Sequence, residues 1–337
     1  MKSQFQLKGP IFQMAMKLFA SFIALLLLSS CAPQVQDIGA PVREAHISDA
    51  YFHAPDGANL PLKSWKPEAE NLSAIVIAVH GFNDYRNGFA FPASWWMQQG
   101  IATFAFDQRG FGENVPVGIW AGEEQLVKDL VEFTKLVKSA YPEIPVYLLG
   151  ESMGGAIVIA TAVNEQLPDI EGIILSAPAV WGWQSLNLFY RVVLWTSAHI
   201  VPEMTASGDG LGIQASDNIS MLRNLGRDPK FIKQTRIDSV YGLVNLMEFA
   251  YVNAKHIQVP MLVLYGAKDE VIPKKPVDQM VQTLPANADI VLYQEGWHLL
   301  LRDLQAKTVW QDVASWIGSR NIPSGNKVRE LPLFKDD

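Results

Sequence analysis

Residues 150–155 read Gly150-Glu151-Ser152-Met153-Gly154-Gly155. An apolar, β-prone run, Val146-Tyr147-Leu148-Leu149, leads into them. Ala156-Ile157-Val158-Ile159-Ala160-Thr161-Ala162 leads out and reads as a buried helix. A serine on so tight a strand-to-helix turn sits on strained backbone, with its hydroxyl pushed out at the top of a sheet. Glycines at 150 and 154 leave no Cβ to clash across the turn. The N-terminus of the following helix favours negative charge developing beside the serine. A plain glycine-rich turn would show the same pentapeptide. The strand before it, the helix after it and the partner residues described below argue for a catalytic turn.

Working outward, Ser73 to Val79 (SAIVIAV) is a continuous apolar run of strand length and leads into His80-Gly81-Phe82-Asn83-Asp84. Phe91 to Gln99 reads as a short helix and Ile101 to Phe106 as a buried strand, followed by Asp107-Gln108-Arg109-Gly110-Phe111-Gly112. Glu123 to Ala140 is an amphipathic helix carrying Leu126, Leu130, Phe133 and Val137 on one face. Ile170 to Leu175 is a further strand. Upstream, residues 46–53 and 60–66 predict a hairpin around Pro55-Asp56-Gly57. Late in the chain, Pro260 to Tyr265 and Asp289 to Tyr293 are strands, each followed by a helix, Lys275 to Leu284 and Leu304 to Ile317. This alternation predicts an α/β fold with a doubly wound, mostly parallel sheet.

The alternation breaks over residues 179–257, which read as a helical cap inserted between late strands, over the carboxyl ends where such sheets bind ligands. The core then comprises residues 46–178 and 258–320, and residues 321–337 form a polar, loosely held tail. The cap opens with Trp181, Trp183, Leu186, Leu188, Phe189, Val192, Val193, Leu194 and Trp195, a set expected to pack the cap and to line a tunnel for an acyl chain.

The N-terminus has a different character. Leu18 to Leu28 (LFASFIALLLL) is too short to span a bilayer and fits the core of a signal peptide over residues 1–30. It ends in Leu28-Ser29-Ser30-Cys31, similar to the lipobox of bacterial lipoproteins. That resemblance implies lipidation of Cys31, a tether over residues 31–45 and a lipid-anchored protein of the bacterial cell envelope. Cys31 is the sole cysteine among 337 residues, so neither an intrachain disulfide nor a cysteine-based metal site can form. The six histidines are scattered without metal-ligand spacing. Net charge is −7, and removal of residues 1–30 takes away three lysines and no acid, leaving −10. No nucleic-acid footprint is present.

A serine hydroxyl needs a base, and the base needs an acid to fix its tautomer. Downstream of Ser152, Asp269 lies in the loop just past strand 260–265 and His298 in the loop just past strand 289–293. Both loops belong at the same end of the sheet as Ser152. His199 and His256 lie in or beside the cap, and Glu270 is a weaker alternative to Asp269. Oxyanion donors are expected at the backbone N–H groups of Met153 and Phe82. His80 is expected to brace its loop, and Asp107 with Arg109 to form a structural pair.

With these motifs in order, residues 45–320 resemble the alpha/beta-hydrolase family of monoacylglycerol lipases and lysophospholipases. The resemblance implies a serine hydrolase of lipid-like carboxylic esters that works through an acyl-enzyme, with no metal or organic cofactor. The same motifs serve a same-fold peptidase, a general carboxylesterase or a thioesterase. A non-catalytic envelope lipoprotein is the reading from another class. Many relatives carry histidine or asparagine where Glu151 stands and histidine where Phe111 stands.

Overall fold

The structure, a computed structural model, describes residues 32–208, 210 and 212–331, together with Met14. The expected signal peptide (Met14 apart), Cys31 and residues 332–337 of the tail lie outside the described residues.

The sheet begins with β1 (His46–Ile47), β2 (Tyr51–His53), β3 (Asn59–Trp65), β4 (Ala74–Val79), β5 (Ile101–Phe106), β6 (Val146–Glu151) and β7 (Gly172–Ser176). The chain then makes a separate two-stranded ladder, β8 (Thr205–Ala206) with β9 (Thr235–Arg236). It returns to the sheet as β10 (Met261–Gly266), β11 (Ala288–Tyr293) and β12 (Lys327–Val328). The sheet order is β1-β2-β3-β5-β4-β6-β7-β10-β11-β12. Pairing is parallel from β5 through β11 and antiparallel at both edges.

Every residue of β4, β5, β6, β7 and β10 is buried, because helices cover both faces of the sheet. On one face α1 (Ala90–Met97) and α8 (Ala306–Ser319) close a layer built on Trp96, Leu264, Val291 and Trp316. On the other face α2 (Glu123–Ala140) and α3 (Met153–Ala162) close a larger layer. In α2 the buried Leu126, Leu130, Phe133 and Val137 recur at helical spacing. Glu123 and Glu124 in its first turn and Lys138 in its last complement the helix dipole. The α/β doubly wound architecture expected from the alternation is the one the chain adopts.

Between β7 and β10 lie, among the described residues, three α-helices, α4 (Leu188–Ile200), α5 (Ile219–Arg227) and α6 (Ile237–Asn253). Helix α6 packs against α3 and α4. Trp183 Nε1 donates to Asn245 Oδ1 at 2.8 Å, fastening the start of this segment to α6. Helix α7 (Lys274–Val281) follows β10.

Four expectations change. Segment 46–53 is two short strands, β1 and β2, joined by a turn in which Ser48 N–H donates to Tyr51 O; the turn at 55–57 joins β2 to β3. The tail is not loose where it is described: Lys327–Val328 pairs with β11 and Leu331 is buried. Residues 34–36 are strapped down. Gln34 Nε2 donates to Glu203, Arg236 donates to Gln34 Oε1, and Gln36 N–H donates to Trp120 O. Finally, α4 buries only Ala198, while Leu188 is 75 % and Phe189 70 % exposed. Trp181, Trp183, Leu186 and Leu194 do pack on the core. Leu188, Phe189, Val192, Val193 and Trp195 point outward and line no tunnel.

Candidate active site

Strand β6 ends at Glu151, and Ser152 turns the chain into α3 with φ 55° and ψ −119°. A non-glycine residue in that region costs on the order of 1–3 kcal/mol and persists only where its surroundings hold it. Here Ser152 N–H donates to Ser176 O at 3.0 Å, and Ser152 O accepts from Gly155 and Ala179. The turn needs its glycines. A Cβ on Gly154 would stand 1.9 Å from Val79 O, and one on Gly150 would stand 2.2 Å from Gly154 O.

Because β6, β7, β10 and β11 are consecutive and parallel, the loops after β6, β10 and β11 share one edge of the sheet. Ser152, Asp269 and His298 stand on those three loops. Asp269 Oδ1 accepts the N–H groups of Val271 (2.8 Å) and Ile272 (2.9 Å), which fixes the carboxylate. Its Oδ2 lies 2.9 Å from His298 Nδ1. A carboxylate only accepts, so Nδ1 carries the hydrogen and the neutral ring keeps Nε2 as its acceptor. Burial disfavours the charged ring, but the charge and hydrogen bond of Asp269, with the charge of Glu151, outweigh it. The pKa of His298 is raised above the ordinary histidine value.

The loop after β4 lies against the serine: a Cβ on Gly81 would stand 3.3 Å from Ser152 Cβ. Met153 opens α3, so its N–H belongs to the unpaired first turn. Among the described residues, the N–H groups of Phe82 and Met153 donate to no acceptor. His80 is buried, and burial lowers its pKa. Its Nε2 accepts Gln108 N–H at 2.9 Å, so Nδ1–H donates to Gly81 O at 2.9 Å. Both ring nitrogens are thus committed to bracing the loop. His199 stacks on Trp195 in the cap, and His256 lies in the short turn after α6. Glu270 is exposed, and its carboxylate accepts Gln214 N–H.

Asp107 and Arg109 are not partners of one another. Buried Arg109 binds Asp129 and Asp56, with contacts of 2.6 Å and 2.7 Å. Asp107 instead holds the guanidinium of Arg86 and accepts the N–H groups of Arg86 and Glu113, both at 2.9 Å. Two separate clusters, Arg109 with Asp56 and Asp129 and Asp107 with Arg86, stand where one pair was expected.

Sequence reasoning missed two groups beside the site. Arg302, four residues beyond His298, lies 2.6 Å from both Glu151 and Asp84. Asp303 accepts from Ser216 Oγ at 2.5 Å and from Trp297 N–H at 2.8 Å, and burial pushes its carboxyl up to about 6. Their one signal is a charged pair ending the apolar triplet Leu299-Leu300-Leu301 directly after the histidine.

The family described as serine aminopeptidase, S33, matches residues 70–305, the span that holds the sheet from β4 to β11 and all three loops. The chain belongs to this family. The chain is also similar to a monoglyceride lipase of Rattus norvegicus, 25 % identical over 80 % of this chain and 90 % of its own length. A monoacylglycerol lipase of Mycolicibacterium smegmatis is 24 % identical over 81 % of this chain and 97 % of its own length. The fold is shared with a soluble variant of monoglyceride lipase from Saccharomyces cerevisiae, at a TM-score of 0.68 and 21 % identity, covering 86 % of this chain and 99 % of that one. The chain therefore has the alpha/beta-hydrolase fold and is similar to monoacylglycerol lipases, as its motifs imply.

Proposed function

We propose that this serine hydrolase cleaves carboxylic esters of single-chain lipids, with Ser152 as nucleophile, His298 as general base then acid, and Asp269 as the group that orients His298. Ser152 Oγ attacks the ester carbonyl while His298 Nε2 takes its proton. The tetrahedral oxyanion is received by the N–H groups of Phe82 and Met153, which are otherwise unpaired. His298 returns the proton to the leaving alcohol as the C–O bond breaks. Water then repeats the sequence on the acyl-enzyme and frees the acid.

The observation that carries this reading is the Asp269–His298 hydrogen bond of 2.9 Å, set on the same sheet edge as a serine held at positive φ. The lipid preference is supported by the relatives named as monoglyceride and monoacylglycerol lipases. The family description names an aminopeptidase, so aminoacyl amides are the competing substrate class. A panel of monoacylglycerols, lysophospholipids, short p-nitrophenyl esters and aminoacyl amides decides. A medium-chain monoacylglycerol is expected to show the highest kcat/KM. A higher value for an aminoacyl amide or a two-carbon ester would overturn the lipid reading.

The same proposal covers location. Cys31 is lipidated and anchors the enzyme to a bacterial envelope membrane. The apolar run ending at Cys31 supports this, as does the exposed apolar face of α4, the kind of patch that marks interaction with lipid or protein. Among the described residues, no helix is long and apolar enough to cross a membrane.

A further inference from the structure

Three charges are buried together beside the candidate nucleophile. Arg302 is 7 %, Asp84 4 % and Glu151 2 % exposed. One nitrogen of Arg302, Nη2, lies 2.6 Å from Asp84 Oδ2 and 2.6 Å from Glu151 Oε2. The three residues come from three loops. Asp84 follows Phe82 by two positions, Glu151 precedes Ser152, and Arg302 follows His298 by four. One guanidinium thus ties the oxyanion loop, the serine turn and the histidine loop together.

The cluster is not what stability alone would select. A buried ion triad is commonly no more stable than apolar residues of the same volume. This one is also incompletely satisfied: Glu151 Oε1 and Arg302 Nε are buried without a hydrogen-bond partner among the described residues. Two carboxylates against one guanidinium leave a surplus negative charge. His298 becomes positive when its ring takes the proton of Ser152, and the charge of Glu151 acts on that ring in the favourable direction.

We propose that Glu151, held by Arg302, is a second acid behind His298: its carboxylate stabilises the imidazolium formed during attack while Arg302 locks the three loops in register. Glu151 is a positioning residue. It neither touches substrate nor exchanges a proton; the proton passes only between Ser152 Oγ and His298 Nε2. The proposal rests on the assignment of Ser152 and His298 given above.

The groups acting on His298 are Asp269 from the loop after β10, Glu151 from β6 and Arg302 from its own loop. Asp269 and Glu151 favour the charged ring and Arg302 opposes it. Asp84 acts on Arg302 and Glu151 and is not among the largest influences on His298. Asp303, on the same loop as Arg302, is itself pushed up by burial and by the charges of Asp217 and Glu151. Burial pushes the Glu151 carboxyl upward, and Arg302 and His298 pull against it. This asymmetry separates Glu151 from Asp84, although each contacts Arg302 at the same distance.

The test is the pH profile of kcat/KM on one p-nitrophenyl ester for wild type, Glu151→Gln, Glu151→His and Asp84→Asn, with thermal midpoints measured alongside. Both replacements of Glu151, each of which removes its carboxylate, should move the acid limb to lower pH by about half a unit or more and lower the plateau. Asp84→Asn, which removes the other carboxylate from the same arginine, should lower thermal stability and leave the limb in place. An unmoved limb in whichever Glu151 variant folds, or an equal shift in Asp84→Asn, would overturn the proposal. Failure of the underlying assignment looks different: the wild-type rate would then survive Ser152→Ala or show no acid limb at all.

Discussion

His298 governs the pH response. It must be neutral to accept the proton of Ser152, and its pKa is raised because Asp269 and Glu151 outweigh the effect of burial. Activity should therefore fall as pH drops through a value above the ordinary histidine pKa of about 6.5. The stability consequence has the opposite direction. The folded chain binds this proton more tightly than the unfolded chain, so the contribution is complete below about pH 6.5 and is lost as pH rises through the folded pKa. A kcat/KM profile and thermal midpoints over the same pH range check both signs. An acid limb below that of free histidine would contradict the arrangement of Asp269 and His298. The positions of Ser152, Asp269 and His298 were legible because each lies just past a strand, a relation local in sequence. The partners of Arg302 were not, since Glu151 is 151 positions away and only the fold brings it there.

At the scale of elements, buried charges tie loops at the carboxyl end of the sheet to one another and to the helices. Arg109, in the loop after β5, reaches Asp56 in the β2–β3 turn and Asp129 on α2, at separations of 53 and 20 residues. Removing its charge in Arg109→Met leaves two largely buried carboxylates unpaired. The expected cost is about 3–5 kcal/mol, read from urea unfolding. A loss below about 1 kcal/mol would show that the pairs are solvated and incidental. The strands and α2 were legible from their apolar runs and helical spacing. The choice of partner for Asp107 and Arg109 was not, because sequence neighbours such as these two can turn to opposite sides of a loop. The two-residue β12 was also hidden: a strand that short, set in a polar tail, has no periodicity to read.

For the whole molecule, the strap at residues 34–36 and the cap share one side. Gln34 is bound to Glu203 just beyond α4 and to Arg236 and Asp238 at the start of α6. Cys31 precedes Gln34 by three residues in the sequence. An acyl anchor at Cys31 would bring a membrane toward the strap and the cap segments it is bonded to. Cys31→Ala is expected to move the protein from the membrane fraction to the soluble fraction with hydrolysis in detergent unchanged. A variant that stays acylated and membrane-bound would refute the anchor. The outward face of α4 could not be told from an inward one in sequence, because a helix apolar around most of its circumference gives no direction.

The central claim is that Ser152 is the nucleophile of an acyl-transfer site, and its most direct test is the mass of the tryptic peptides after reaction with a fluorophosphonate. One phosphonyl adduct is expected, on the peptide carrying Gly150-Glu151-Ser152-Met153-Gly154, and none is expected in Ser152→Ala or in heat-unfolded protein. Absence of an adduct on folded wild type, or an adduct that persists at another residue in Ser152→Ala together with full esterase activity, would contradict the account.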